Sequence, residues 1–358
     1  MFLQALNRKY QLKQHLNRLF NNSVIAITCL ILIAIVVAVA LGLIVCNARF
    51  PKLLGNSPEN IAHIKVTTDP NEFTFVVVGD VKSGTATFEA MLDIISGDKP
   101  AFVVVLGDFV CHPEFISHKL FAFEMAEYAQ DFPMLIVPGN HDISTEGHFR
   151  LEDFENTYGS SQFCFTVDKC LFVFLDNVSQ YGQRGQYLKF LEQAISTQKE
   201  DIRKIFVFMH IPPSGLNSSI LSSGLPGSEE FLRLAKKYRI DYVFCGDHHG
   251  YVKTERDGTV FVVTGGGGAN LRGKHGRFHH LVRIEVRNDM DMINETVICT
   301  KKHLETSELM ERNIAVYLWP LITKNSMSIA ISLVLFGTAI TSLRFSFRWR
   351  KQLEKEDF

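Results

Sequence analysis

Carboxylates, a carboxamide and imidazoles recur in five short motifs along this 358-residue chain. They are GDVK (Gly79 to Lys82), GDFV (Gly107 to Val110), GNHD (Gly139 to Asp142), FMHIPP (Phe208 to Pro213) and GDHH (Gly246 to His249). Together they offer Asp80, Asp108 and Asp247, the carboxamide of Asn140, and the rings of His141, His210, His248 and His249. Hard oxygen donors mixed with imidazoles suit Mn, Fe, Zn or Mg better than a thiolate-selective site would. A carboxylate shared between two such cations, about 3.5 to 4 Å apart, is a common plan for hydrolysing phosphate esters. Taken singly each motif is weak, because a Gly-Asp or Gly-Asn pair after a strand is most often a turn. Their occurrence in series, each closing an apolar run, favours one joint site.

The apolar runs are what must position them. TFVVVG (Thr74 to Gly79), FVVVLG (Phe102 to Gly107), MLIVPG (Met134 to Gly139), LFVFLD (Leu171 to Asp176), IFVFMH (Ile205 to His210) and DYVFCG (Asp241 to Gly246) are short and rich in Val and Phe. Such runs read as strands buried on both faces. Amphipathic stretches of helical length separate most of them: Ala86 to Ile95, Glu114 to Ala129, Gly185 to Thr197 and Ser228 to Tyr238. Thr259 to Thr264 and His280 to Val286 read as strands in hairpin order, so the sheets should be mixed. Strand alternating with helix predicts an α/β fold, whose ligands gather at the C-terminal strand ends.

The motif series resembles that of the calcineurin-like metallophosphoesterases, and VTGGGGAN (Val262 to Asn270) is similar to the glycine-rich segment beyond the last motif in purple-acid-phosphatase-like members. The resemblance covers about Phe73 to Val286. It implies two mixed β-sheets packed as a sandwich flanked by helices, two divalent or trivalent metal ions, and attack by a metal-bound water on a phosphate ester. It further implies that Asp108 bridges both metals, that Asp80 and His249 complete one site, and that Asn140 and His210 serve the other. His141 would be the acid near the leaving oxygen, with Asp142 orienting its ring. His112 and His148 fall in loops near the expected crevice, and His112 is a candidate for substrate contact.

Two positions depart from the family pattern. Lys82 stands where a histidine is common in the first motif, and Asp247 stands for the first histidine of the last. Residues two apart in an extended strand end point the same way, so Asp247 and His249 can both face the metals while His248 turns aside. This predicts a retuned site in which Asp247 is an oxygen ligand and Lys82 contacts Asp247 or the substrate phosphate. The rival reading is a catalytically impaired scaffold or ligand-binding protein of the same fold.

Outside this region the chain has a different character. Ser23 to Cys46 carries no charge over about the 20 residues that span a hydrocarbon core, and Ser326 to Leu343 is uncharged over about 18. Arg8, Lys9, Lys13 and Arg18 precede the first, and basic residues from Arg344 to Lys355 follow the second. The positive-inside rule then predicts cytoplasmic termini and an extracytoplasmic domain. The expected organisation is a basic tail (1–22), a transmembrane helix (23–46), a linker (47–72), the metallophosphoesterase domain (73–300), a connector (301–325), a second transmembrane helix (326–343) and a basic tail (344–358). The expected partners are the lipid bilayer and a phosphate-ester substrate, for which a membrane-proximal one fits. A net charge of −1 offers nothing to attract nucleic acid. Among the seven cysteines, Cys164 and Cys170 bracket a hairpin-like segment and are candidates for a bridge, whereas free buried thiols are the expected state for most.

Overall fold

A computed structural model describes residues 49–300 except 83, 145–148, 180–184, 199–200, 221–223, 273–275 and 288–291, together with 10–11, 24–37, 40, 44–45 and 47. The expected connector, second span and C-terminal tail lie outside the described residues, as does His148. Contacts divide the chain into two units at Ala48 and Arg49. In the first unit, residues 24–37 form a helix, α1, whose Ile25, Ile27, Leu30, Ile33 and Val36 are all exposed. No helix among the described residues is long and apolar enough to cross a membrane.

In chain order the second unit runs α2 (Pro58–Thr67), β1 (Glu72–Val78), α3 (Thr85–Ser96), β2 (Phe102–Val105), α4 (Phe115–Glu124), a short 3-10 turn (Tyr128–Gln130), β3 (Met134–Ile136), α5 (Leu151–Tyr158), β4 (Phe163–Val167) and β5 (Cys170–Phe174). It continues with α6 (Gln186–Ser196), β6 (Lys204–Phe208), α7 (Ser228–Tyr238), β7 (Tyr242–Cys245), β8 (Tyr251–Arg256), β9 (Thr259–Thr264), β10 (His280–Arg287) and β11 (Met292–Cys299). Five strands form one sheet in the order β11-β10-β1-β2-β3, and six form another in the order β4-β5-β6-β7-β9-β8. Both are mixed, with β1, β2 and β3 parallel in the first and β5, β6, β7 and β9 parallel in the second.

Alternation along the strands builds both layers of core. Phe75 and Val77 of β1, with Phe206 and Phe208 of β6, point into the space between the sheets. Val76, Val78 and Val207 point outward, into the core that also holds Phe88, Met91, Leu191 and Phe231 from the helices. Phenylalanine fills the interior: Phe75 stacks on Phe102 at 5.2 Å and meets Phe206 edge-on at 5.3 Å. Both geometries suit the ring quadrupole.

The segment 47–72 is not a bare linker. Ser57 caps α2 by accepting from the Asn60 N–H, with Pro58 opening the helix, and Ile64 is fully buried between the sheets. The Asn56 side chain donates to the Ile136 carbonyl at 2.7 Å and accepts from the Ile136 N–H at 2.8 Å, which completes the edge of β3. Pro, Gly, Ser and Asn in this segment start a helix and cover a strand edge, roles that share their composition with linkers.

Other departures are smaller. The helix expected over Glu114 to Ala129 ends at Glu124, and α5, β8 and β11 lie outside the runs that the sequence marks as helix or strand. The hairpin register sets Cys164 opposite Val173 and Cys170 opposite Val167, so the two sulfurs are not cross-strand neighbours.

Candidate metal centre

The C-terminal ends of β1, β2 and β3 in one sheet meet those of β6 and β7 in the other. Backbone bonds stitch the strand ends together: Asp80 N–H to the Gly107 carbonyl, Lys82 N–H to the Asp108 carbonyl, and Gly246 N–H to the His210 carbonyl. The turns are tight enough to drive Asp80, Lys82, Asp108, Asp247 and His249 to φ values of 58°, 45°, 54°, 64° and 53°. Only nine non-glycine residues among those described have positive φ, and five of them are here. Left-handed backbone at such residues is costly and collects at functional sites.

Two imidazoles are aimed by backbone carbonyls. The His210 Nδ1–H donates to the Leu106 carbonyl at 2.6 Å, which leaves Nε2 3.0 Å from Asn140 Oδ1 and 3.4 Å from Asp108 Oδ1. The His249 Nδ1–H donates to the Asn270 carbonyl at 2.9 Å, leaving its Nε2 3.4 Å from Asp80 Oδ1. A carbonyl can only accept, so it sets the tautomer and frees the other nitrogen as a ligand, as metal-binding histidines usually require.

Donor atoms of Asp80, Asp108 and His249 lie within 4.8 Å of one another, and all three residues are buried. Neither Asp80 oxygen meets a hydrogen-bond donor among the described residues, and the same holds for Asp247 Oδ2. Buried carboxylate oxygens without donors carry a large desolvation penalty unless a cation takes them up. The charges of the cluster point the same way. Burial, with added repulsion from Asp108 and Asp247, pushes the Asp80 carboxyl well above the usual range. Burial alone would lower His210, yet Asp108, Asp80 and Asp247 pull it up to about 9. The protein gathers more negative charge than its own side chains offset, and the donor set fits divalent cations.

Close approach also explains the glycine run after β9. A Cβ on Gly265 would fall against the Asp80 carboxylate and 2.6 Å from the His249 backbone nitrogen, so only glycine lets the chain leaving β9 pass behind the ligands.

Two expectations change. Asp142 does not orient the His141 ring; its buried carboxylate accepts the backbone N–H groups of Asp108 and Gly139, both at 2.7 Å, and of Phe109 and Val110 at 3.0 and 3.1 Å. It is a clamp that fixes the Asp108 loop. The His141 ring is held instead by its Nδ1 on the Cys111 carbonyl at 3.0 Å, and its backbone N–H donates to Asp108 Oδ1 at 2.9 Å. Lys82 meets Asp108 rather than Asp247: its ammonium pairs with Asp108 Oδ2 at 2.9 Å. His112 is exposed on the loop after Asp108, with no side-chain hydrogen bond to the site among the described residues. Asn140 is exposed at the rim, whereas His248 is buried and is not among the donors gathered at Asp80, Asp108 and His249.

One supporting residue escaped sequence reasoning. His118 is buried on α4, stacked on Phe149 with 3.6 Å between centroids. Its Nε2–H donates to the Asp142 carbonyl at 2.9 Å and its Nδ1 accepts from the Tyr158 hydroxyl at 3.0 Å. The available signal was its place beside Ile116, Phe121 and Ala122 on the buried stripe of FISHKLFAFE. Burial, only partly offset by the bond to Asp142, holds its pKa down to about 3. The unfolded chain therefore takes up this proton first, and stability should fall as pH drops from about 6.5 towards 3, by up to about 1.4 kcal/mol per pH unit from this group. In denaturant titrations between pH 7.5 and pH 5, His118→Gln should lose less stability on acidification than the wild type. Parallel losses would show that His118 titrates alike in both states.

A family model described as calcineurin-like phosphoesterase matches residues 73–251. A nucleotide pyrophosphatase/phosphodiesterase from Hordeum vulgare is 26% identical over 218 residues, 49% of this chain and 59% of that protein. Purple acid phosphatase 18 from Arabidopsis thaliana is 25% identical over 239 residues, 60% of this chain and 53% of that protein. The chain thus spans little more than half the length of these relatives. A dimetal phosphatase from Danio rerio shares the fold at a TM-score of 0.52 and 12% identity, over 64% of this chain and 96% of that one. The family match spans every strand-end motif, from Asp80 to His249. Since the matched residues make up half of its length, the chain belongs to the calcineurin-like phosphoesterase family.

Proposed function

We propose that the chain hydrolyses a phosphate ester at the Asp80–Asp108–His249 cluster and its neighbours, tethered to a membrane with the domain on the extracytoplasmic side. The observation that carries the catalytic part is the convergence of these three buried donors, with both Asp80 oxygens lacking any donor among the described residues. Asp108 is placed to be shared, since one oxygen faces His210 and the other faces the side of Lys82. Asp80 and His249 complete one cation position; Asn140, His210 and Asp247 complete the other. When bound, the cations supply neutralisation of the phosphoryl group and activation of the attacking water. His141, anchored through Nδ1, presents Nε2 as the nitrogen that meets the leaving oxygen. The test is to purify the full chain, count its bound metal, and assay aryl phosphate mono- and diesters with and without chelator. Chelator-sensitive hydrolysis supports the reading. Metal retained without turnover on any ester would favour the scaffold alternative, and absence of both would sink the proposal.

The tether is supported by the uncharged stretches at 23–46 and 326–343, the basic flanks, and the exposed apolar side chains of α1. A substrate held at the bilayer surface suits such a tether. A reporter active only outside the cytoplasm should work when inserted after Asn47 and fail when fused after Phe358. The reverse pattern would put the catalytic domain on the cytoplasmic face.

A further inference from the structure

We infer that Lys82 is a built-in competitor for one of the two cations, so that the centre loads its metals unequally. The inference rests on the metal-dependent reading above. Lys82 reaches the cluster from the same turn as Asp80, two residues on, and its backbone N–H is bonded to the Asp108 carbonyl at 2.8 Å. That bond fixes where the side chain starts. Its ammonium then lies 2.9 Å from Asp108 Oδ2, with Lys82 only 11% and Asp108 1% exposed. The other oxygen, Oδ1, accepts from the His141 N–H and faces His210 Nε2 at 3.4 Å. The two oxygens are therefore already divided: Oδ1 serves the side of Asn140 and His210, and Oδ2 holds a positive charge where Asp80 and His249 would share a metal.

A divalent cation at Asp80, Asp108 and His249 binds oxygen and nitrogen at about 2.0 to 2.2 Å. At that range it would compete with the ammonium for Oδ2 and be repelled by it within a buried site. The position served by Asn140, His210 and Asp247 lacks this competitor and fills first. Asp108 would be free for the second metal only once Lys82 leaves it. Lys82 also lines a mostly apolar groove in which Glu124 is the one carboxylate, and the displaced ammonium would turn towards it.

Equilibrium dialysis of the full chain against Mn(II), with bound metal counted by mass spectrometry and the steps separated by calorimetry, tests this directly. The wild type should take one equivalent, then a second at a concentration at least about tenfold higher. Lys82→Met keeps the stem and removes the charge; Lys82→Gly suits the φ of 45° and guards against a folding defect in the first variant. Both should draw the second step to within about threefold of the first. Two indistinguishable steps in the wild type, or a second step that moves in neither variant, overturns the inference and leaves metal-dependent hydrolysis standing. Failure of all three proteins to bind Mn(II) overturns the underlying reading as well.

Discussion

Asp108→Asn is expected to lose bound metal and turnover together, with kcat/KM down about 10³-fold or more. The substitution keeps shape but removes the one negative charge that faces both His210 and Lys82, at 3.4 and 2.9 Å. Stability should suffer less than the loss of a buried ion pair suggests. Removing one partner of such a pair typically costs about 3 to 5 kcal/mol. Here the same charge also repels Asp80 and Asp142, so its removal relieves two other buried carboxyls. The amide can still accept from the His141 N–H. The measurements are metal content, aryl phosphate hydrolysis and a denaturant titration on one preparation. A variant that keeps full metal content would show that Asp108 is not a shared ligand.

His141→Ala separates catalysis from metal binding. Its ring is tied to the Cys111 carbonyl and belongs to neither predicted ligand set, so the variant should keep its metal. The rate should fall by about 10²- to 10⁴-fold, the scale of a positioned general acid. The loss should be smaller for an aryl ester, whose leaving oxygen needs little protonation, than for an alkyl ester. Equal losses on both, or metal lost in parallel, would assign His141 a structural role.

Legibility in the sequence depends on the range of the interaction. Asp80, Asp108, Asn140, His210 and His249 are legible because each closes an apolar strand, and parallel strands deliver their ends to one edge. The clamp by Asp142 is not. Beside His141 in the chain, it reads as the partner of that ring, whereas its carboxylate serves amides 32 to 34 positions away in the loop after β2 as well as its neighbour Gly139. Lys82 is expected near the metals, but the choice of Asp108 over Asp247 depends on a backbone bond between two loops. The helix α2 is hidden by composition, since its capping residues are also the residues of linkers. Edge strands β8 and β11 lack a strong apolar run, as their exposed faces carry polar residues.

The five left-handed residues at the centre bear on how this protein would drift under artificial selection. Each non-glycine residue held in that conformation costs on the order of 1 to 2 kcal/mol, against a total fold stability of about 5 to 15 kcal/mol for an ordinary domain. Replacing any of them with glycine relaxes the backbone and removes a buried or half-buried charge or ring at once. A thermostability screen run on a random library without an activity filter should therefore enrich glycine at Asp80, Asp247 and His249. Hardened clones would emerge from such a campaign with the same sandwich and a dead centre.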